Sequence, residues 1–162
     1  MKKMIILYSL VLFFAACGNS GEKNTTKTTG PQSAETTSTP TENGNPSYDP
    51  KRGEGKFHDV QLSDKLDATM AANGEKIVGL KCESCHKMTD EKLVGPGWKG
   101  VTTRNKPEWI MNFITNTDAM IDKDPQVQAM LEICLVRMPN QNLSDEDARA
   151  ILEFMRKNDG IK

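Results

Sequence analysis

Aromatic side chains are scarce: Phe, Trp and Tyr make up only 6% of the 162 residues. A small domain with so few large rings has a thin side-chain core and needs another source of buried apolar surface. Histidine is scarcer still, with His58 and His86 alone, and the cysteines are Cys17, Cys82, Cys85 and Cys134. A structural zinc site wants two Cys/His pairs, and the sequence holds no second pair. No apolar run approaches the roughly 20 residues that cross a bilayer. Neither sign of charge dominates, since 21 basic residues face 22 acidic ones. That balance argues against nucleic acid or a strongly anionic lipid surface as a partner. Nor is there an apolar–polar alternation longer than a few residues, so a mainly α-helical fold is expected.

The N-terminal stretch is a targeting segment. Lys2 and Lys3 precede an apolar run from Ile5 to Phe14, broken by Ser9. The run is too short to span a membrane and reads as a signal h-region. It ends in Phe14-Ala15-Ala16-Cys17, which resembles the lipobox of bacterial lipoproteins, although Leu is usual where Phe14 stands. The resemblance implies cleavage after residue 16 and a lipid on Cys17. With ordinary secretory cleavage Cys17 stays a free thiol, and the chain is exported in both cases. Residues 17–56 are rich in Thr, Ser, Gly, Asn and Pro. Such a segment buries too little surface to offset its chain entropy. It is expected to be a disordered, lipid-anchored linker with a span of roughly 35 Å. The globular domain is then residues 57–162.

Cys82-Glu83-Ser84-Cys85-His86 is the most informative stretch. Two thiols three positions apart, followed at once by an imidazole, form the C-x-x-C-H pattern of covalent c-type haem attachment. Each sulfur can add across one porphyrin vinyl group, and the adjacent His86 can reach the iron. A redox C-x-x-C of the thioredoxin kind would want a βαβ context, and none is legible. A haem would also supply the flat apolar body that the aromatic-poor domain lacks.

The domain reads as about four helices. Ser63 is expected to cap the first near Asp64, with Leu66, Met70, Ile77 and Leu80 on one face running to Cys82. Pro107 suits the first position of the second, with Trp109, Ile110, Phe113 and Ile114 as its stripe. Asp124-Pro125 opens the third, whose apolar positions are Val127, Met130, Leu131, Cys134 and Leu135. Ser144 opens the fourth, whose inward residues should be Ala148, Ile151, Leu152 and Met155, with Phe154 alongside. Gly74 is costly inside a helix unless something approaches closely there.

In this order of parts the domain resembles class I cytochrome c. Gly74 to Lys81 followed by the haem motif looks like that family's N-terminal helix, although an aromatic often stands where Ile77 is. The resemblance implies an all-α fold wrapped around one covalent haem, with Gly74 crossing the last helix near Phe154. It implies that the carbonyl of Pro96, in Gly95-Pro96, accepts the ring N–H of the axial His86. It places Arg104 against a haem propionate and makes Met138, in Met138-Pro139, the sixth iron ligand.

The sixth ligand can also be argued without the family. Most of the nine methionines fall in the leader or on helices, where packing is the ordinary role. Met88 is too close to His86 to reach the opposite face of the ring. Met138 follows the third helix and precedes Pro139, which holds its predecessor extended. Met120, expected in a loop, is the competitor, and His58 is an outsider. Cys134 reads as a buried inert thiol. Trp98 and Trp109 pack in the core or on the haem edge. Lys76, Lys81, Lys87, Lys92 and Lys99 form either a solvated surface or a docking patch for an acidic partner. The expected function is that of an exported, membrane-tethered electron carrier facing the periplasm, with redox proteins as partners and no catalytic residues. The alternatives are a haem subunit of a larger oxidoreductase, and a haem enzyme or gas sensor with a labile distal ligand. A lipoprotein using its C-x-x-C for thiol exchange is the remaining class.

Overall fold

A computed structural model describes residues Tyr48–Lys162. The leader, Cys17 and the linker as far as residue 47 lie outside the described residues. The described residues form six helices and no strand: α1 (Ala68–Lys81), α2 (Val101–Arg104), α3 (Pro107–Thr115), α4 (Thr117–Lys123), α5 (Pro125–Cys134) and α6 (Asp145–Asn158). None of them is long and apolar enough to cross a membrane. Sequence patterning led to about four; α2 and α4 are the additions. Each is short, and neither has a side-chain hydrogen bond capping its start.

The packing of α1 against α6 is the frame of the molecule. α6 begins where expected, with Ser144 Oγ accepting from the Asp147 N–H at 3.0 Å. Asp145, Glu146 and Asp147 fill its first turn and Arg156 and Lys157 its last, each complementing the helix dipole. Its buried side includes Ala148, Ile151, Leu152, Phe154 and Met155, as the periodicity predicts. α1 departs from expectation in two ways. It starts at Ala68 because Asp67, not Ser63, accepts from the Met70 N–H. Its buried positions are Ala71, Gly74 and Val78, rather than the large residues of the expected stripe; Leu80 is 87% exposed. Small side chains win because the backbones nearly touch. A Cβ on Gly74 would lie 2.0 Å from the carbonyl oxygen of Ala150. The crossing is thus one turn before Phe154.

A polar cluster locks this crossing. Glu153 is fully buried and accepts from Arg156 (2.8 and 3.0 Å), Arg149 (2.6 Å) and the Asp67 N–H (2.9 Å). Burial alone would raise its pKa, but these donors outweigh it and hold the carboxyl below its usual range.

The segment Tyr48–Lys56, assigned to the linker from composition, is instead packed onto α3 and α4. Gly53 is buried at φ +74°, with space for a Cβ closed by Met120 and Trp109. The buried amide of Asn112 donates to the carbonyls of Arg52 (3.0 Å) and Phe57 (2.9 Å), and its oxygen accepts from the Phe57 N–H (2.9 Å). Tyr48 donates its hydroxyl to Asp124. Low apolar content misled the reading because this strap is held largely by hydrogen bonds that partners far along the chain supply. Met120 is likewise not in a loop: it lies on α4, fully buried, with its sulfur 3.0 Å from the Glu54 N–H.

Candidate functional site

The end of α1 delivers the C-x-x-C-H motif into a tight turn. The N–H groups of Cys85 and His86 both donate to the Cys82 carbonyl at 3.0 Å. The following loop folds back on this turn, with the Gly95 N–H donating to the Cys85 carbonyl at 2.8 Å. There is no room beside the imidazole: a Cβ on Gly95 would lie 2.4 Å from His86 Cε1. Nδ1 of His86 is 2.9 Å from the carbonyl oxygen of Pro96. A carbonyl only accepts, so the proton sits on Nδ1 and the lone pair on Nε2 is free for a metal. Burial lowers the pKa of His86, and the Pro96 carbonyl opposes this in part. The ring is therefore neutral at pH 7, as a ligand must be. Trp98, buried, holds it from the side with ring centroids 5.3 Å apart.

This turn forms one wall of a cavity of about 350 Å³. Cys82, Cys85, His86, Gly95 and Pro96 line that wall. Phe113, Ile121, Val127, Met130, Leu131 and Cys134 line the other, which α3, α4 and α5 supply. The third helix of the sequence reading is thus amphipathic toward the cavity, not toward a protein core. α5 ends at Leu135 in the left-handed region, φ 60°. The chain then turns and carries Met138 and Pro139 along the cavity. Lys81 and Gln141 both line the cavity, and Lys81 Nζ donates to the Gln141 carbonyl (2.9 Å); Lys92 Nζ donates to the carbonyl of Ile133 on α5 (2.8 Å).

The structure therefore brings together Cys82, Cys85, His86, Pro96 and Met138. It does not bring Arg104 to the cavity wall. Arg104 is exposed on α2, and its guanidinium donates to the Lys99 carbonyl at 2.6 Å. Cys17 lies outside the described residues. Met120 faces the strap and does not line the cavity. His58 is exposed and away from it. The cavity residues missed from sequence are Phe113 and Ile121, which no short motif marks, and with them the lysine bonds to the Gln141 and Ile133 carbonyls.

The walls suit a flat iron porphyrin. The cavity is predominantly apolar, two free thiols sit beside an imidazole whose Nε2 is available, and a thioether lies on the same cavity. Burial pushes the unlinked Cys82 thiol up to about 11, so before attachment it stays protonated at neutral pH. Among the described residues no group of three or more His, Cys, Asp and Glu side chains could hold a bare metal ion.

Comparison with known proteins agrees. The solved cytochrome c from Rhodothermus marinus is 35% identical, with a TM-score of 0.63 over 65% of this chain and 90% of that one. An engineered form of the same cytochrome is 34% identical, with a TM-score of 0.62 over the same shares. A third structure, of that engineered protein bound to a carbene intermediate, is also 34% identical, with a TM-score of 0.59 and the same coverage. No curated protein matches the chain. Residues 71–159, more than half of the sequence, match the family model for cytochrome c. With its all-α fold and its haem-attachment turn, this chain belongs to the cytochrome c family, whose members carry a covalently bound c-type haem and transfer electrons.

Proposed function

We propose that this protein is an exported electron carrier in which His86 and Met138 are the two axial ligands of one haem iron. The observation that carries the reading is that Met138 lines the same cavity as both cysteines and the Nδ1-protonated His86. The haem supplies a reversible one-electron change. The chain's residues orient, shield and tune it. The Pro96 carbonyl fixes the imidazole, Gly95 lets the loop press against it, and the apolar wall excludes water. A soft thioether favours the reduced state and so a comparatively high potential. With His86 and Met138 both held toward it, a bound iron would keep no vacancy for a substrate.

The chain reaches its partners from a leash. Cleavage after residue 16 would leave Cys17 lipid-bearing in the bacterial envelope, with the haem domain facing the periplasm. Several acyl chains give firm anchoring, and the linker keeps the domain concentrated near membrane partners. Partners should dock at the cavity mouth, where Leu80 and Val136 are exposed on the lining beside Lys81. A partner with an apolar patch and an acidic rim fits that surface. A larger oxidoreductase that this chain serves as a haem subunit would use the same mouth.

Met138→Ala tests the ligand. It should abolish the weak long-wavelength iron–thioether band, lower the midpoint potential and admit carbon monoxide readily. Met120→Ala should keep the band and the closed site. The opposite pattern would move the ligand. Cys17→Ser should release the protein from membranes with its spectrum unchanged.

A further inference from the structure

Asp124 is a fully buried carboxylate with three donors from three parts of the chain. Its Oδ1 accepts from the Val127 N–H at 2.9 Å and so caps α5. Its Oδ2 accepts from Trp109 Nε1 at 2.9 Å, and from the hydroxyl of Tyr48. Other side-chain bonds to the helix that Asp124 starts are exposed ones, among them those from Gln126 Nε2 to Asn105 Oδ1 at 2.7 Å and from Lys92 Nζ to the Ile133 carbonyl at 2.8 Å. Among the other helices only α4 packs extensively against it, and its apolar side lines the cavity. Its buried anchor is thus Asp124 at one end, with whatever fills the cavity packing along its length. Tyr48 in turn is fixed by the strap, which Gly53 and Asn112 hold against α3 and α4.

We propose that Tyr48 is a positioning residue for the distal wall of the haem site, acting through Asp124 on α5 and the Met138 loop that follows. The strap is then a brace for the cofactor pocket as well as the end of a leash. The inference rests on the haem-site reading above. Burial, with the neighbouring carboxylate second, raises the Tyr48 hydroxyl above its usual range, so it keeps its proton to donate. Losing the hydroxyl leaves Asp124 with two donors, and the fold should survive.

The test uses the full-length holoprotein and two independent variants. Tyr48→Phe removes the bond to Asp124. Gly53→Ala keeps the tyrosine but strains the strap, because φ +74° is a backbone conformation that L side chains rarely adopt. Amide hydrogen exchange should accelerate in α5 by about ten-fold or more in both variants, the scale of one lost bond to a buried charged group. Exchange in α6 should stay as in wild type. Carbon monoxide should also bind the reduced protein faster. Ser144→Ala, which uncaps α6, is the control for general destabilisation and should leave α5 exchange and carbon monoxide binding unchanged. Equal acceleration in α5 and α6, or none in α5, would overturn the proposal. Met138→Ala is measured beside them. If wild type already takes up carbon monoxide as fast as that variant, the ligand assignment fails, and α5 exchange still decides the brace.

Discussion

α6 and α5 are both capped by an acceptor side chain, yet they are held in different ways. α6 buries eight of its 14 residues, and α5 buries only Val127 of its 10. The first is packed against α1, α2 and α3; the second against α4 and the wall of the cavity. One half of the molecule is therefore folded by protein against protein. The other half is shaped to be completed by its cofactor. This is where the scarcity of aromatic residues finds its explanation. Trp98 is buried against His86 and Trp109 at the start of α5. α4 and α5 themselves carry no aromatic side chain and leave the apolar bulk between them and the haem turn to the cofactor.

The largest expected effect breaks the distal half and spares the other. Replacing Cys82 and Cys85 by Ala removes both thioether links. Denaturing gels should show covalent haem in wild type and none in the double variant. Exchange protection should collapse in α5 and the 135–143 loop, while the α1–α6 crossing retains part of its own. Undiminished protection in α5 without haem would end the contrast between the halves.

The reverse experiment attacks the crossing. Glu153→Gln leaves Arg156 buried beside a neutral partner, and breaking a buried pair this way costs about 3–5 kcal/mol. Urea unfolding measures it. The pH dependence has a definite sign. The folded pKa of Glu153 is below the unfolded value, near 4.5, so its contribution is present above that pH. It is lost as pH falls from there through the depressed folded value. The variant should show a flatter acid limb of stability against pH. The haem spectrum of the folded variant should match wild type. A variant as stable as wild type at pH 7, with the same acid limb, would remove Glu153 from the account.

What could be read from the sequence divides along the same line. The haem turn was legible because its chemistry demands contiguous residues. α6 was legible because a helix packed on protein carries its periodicity and Ser144 at its start. The buried positions of α1 were not, since the close crossing selects Ala71 and Gly74 and leaves larger neighbours such as Leu80 exposed. α5 was found, but its stripe faces a cavity, and periodicity does not say what a face packs against. The strap escaped notice because Asn112 and Asp124, which bind it, are more than fifty residues away from it. Arg104 followed the family pattern in sequence without reaching the cavity.

A truncation sharpens the boundary of the distal half. A chain beginning at Phe57 loses the Tyr48 bond to Asp124, the Arg52 acceptor of Asn112 and the cover over Met120. The lost bonds and apolar cover together are expected to cost about 2–4 kcal/mol. A chain beginning at Tyr48 keeps all three and should unfold at the same temperature as the full mature protein. Calorimetry of the two holoproteins separates a strap that is part of the fold from one that merely leads to it. Equal midpoints would return residues 48–56 to the linker.

The smallest effect asks whether a cap on the protein-packed half stays local. Ser144→Ala removes the acceptor for the Asp147 N–H, which an exposed helix start can recover from water. Loss of such a cap typically costs about 1 kcal/mol, a fall of roughly 4 °C in midpoint for a domain of this size. Because α6 is held along its buried length, the loss should be confined to fraying of its first turn, leaving the iron–thioether band untouched. The same change at the other cap, Asp124→Ala, strips the acceptor from Trp109, Tyr48 and Val127 at once in a site closed to water. It should cost several-fold more and disturb that band. If the two caps proved equivalent in cost and spectrum, α5 would have to be held by contacts of its own, and the division of the molecule into a protein-packed and a cofactor-packed half would fail.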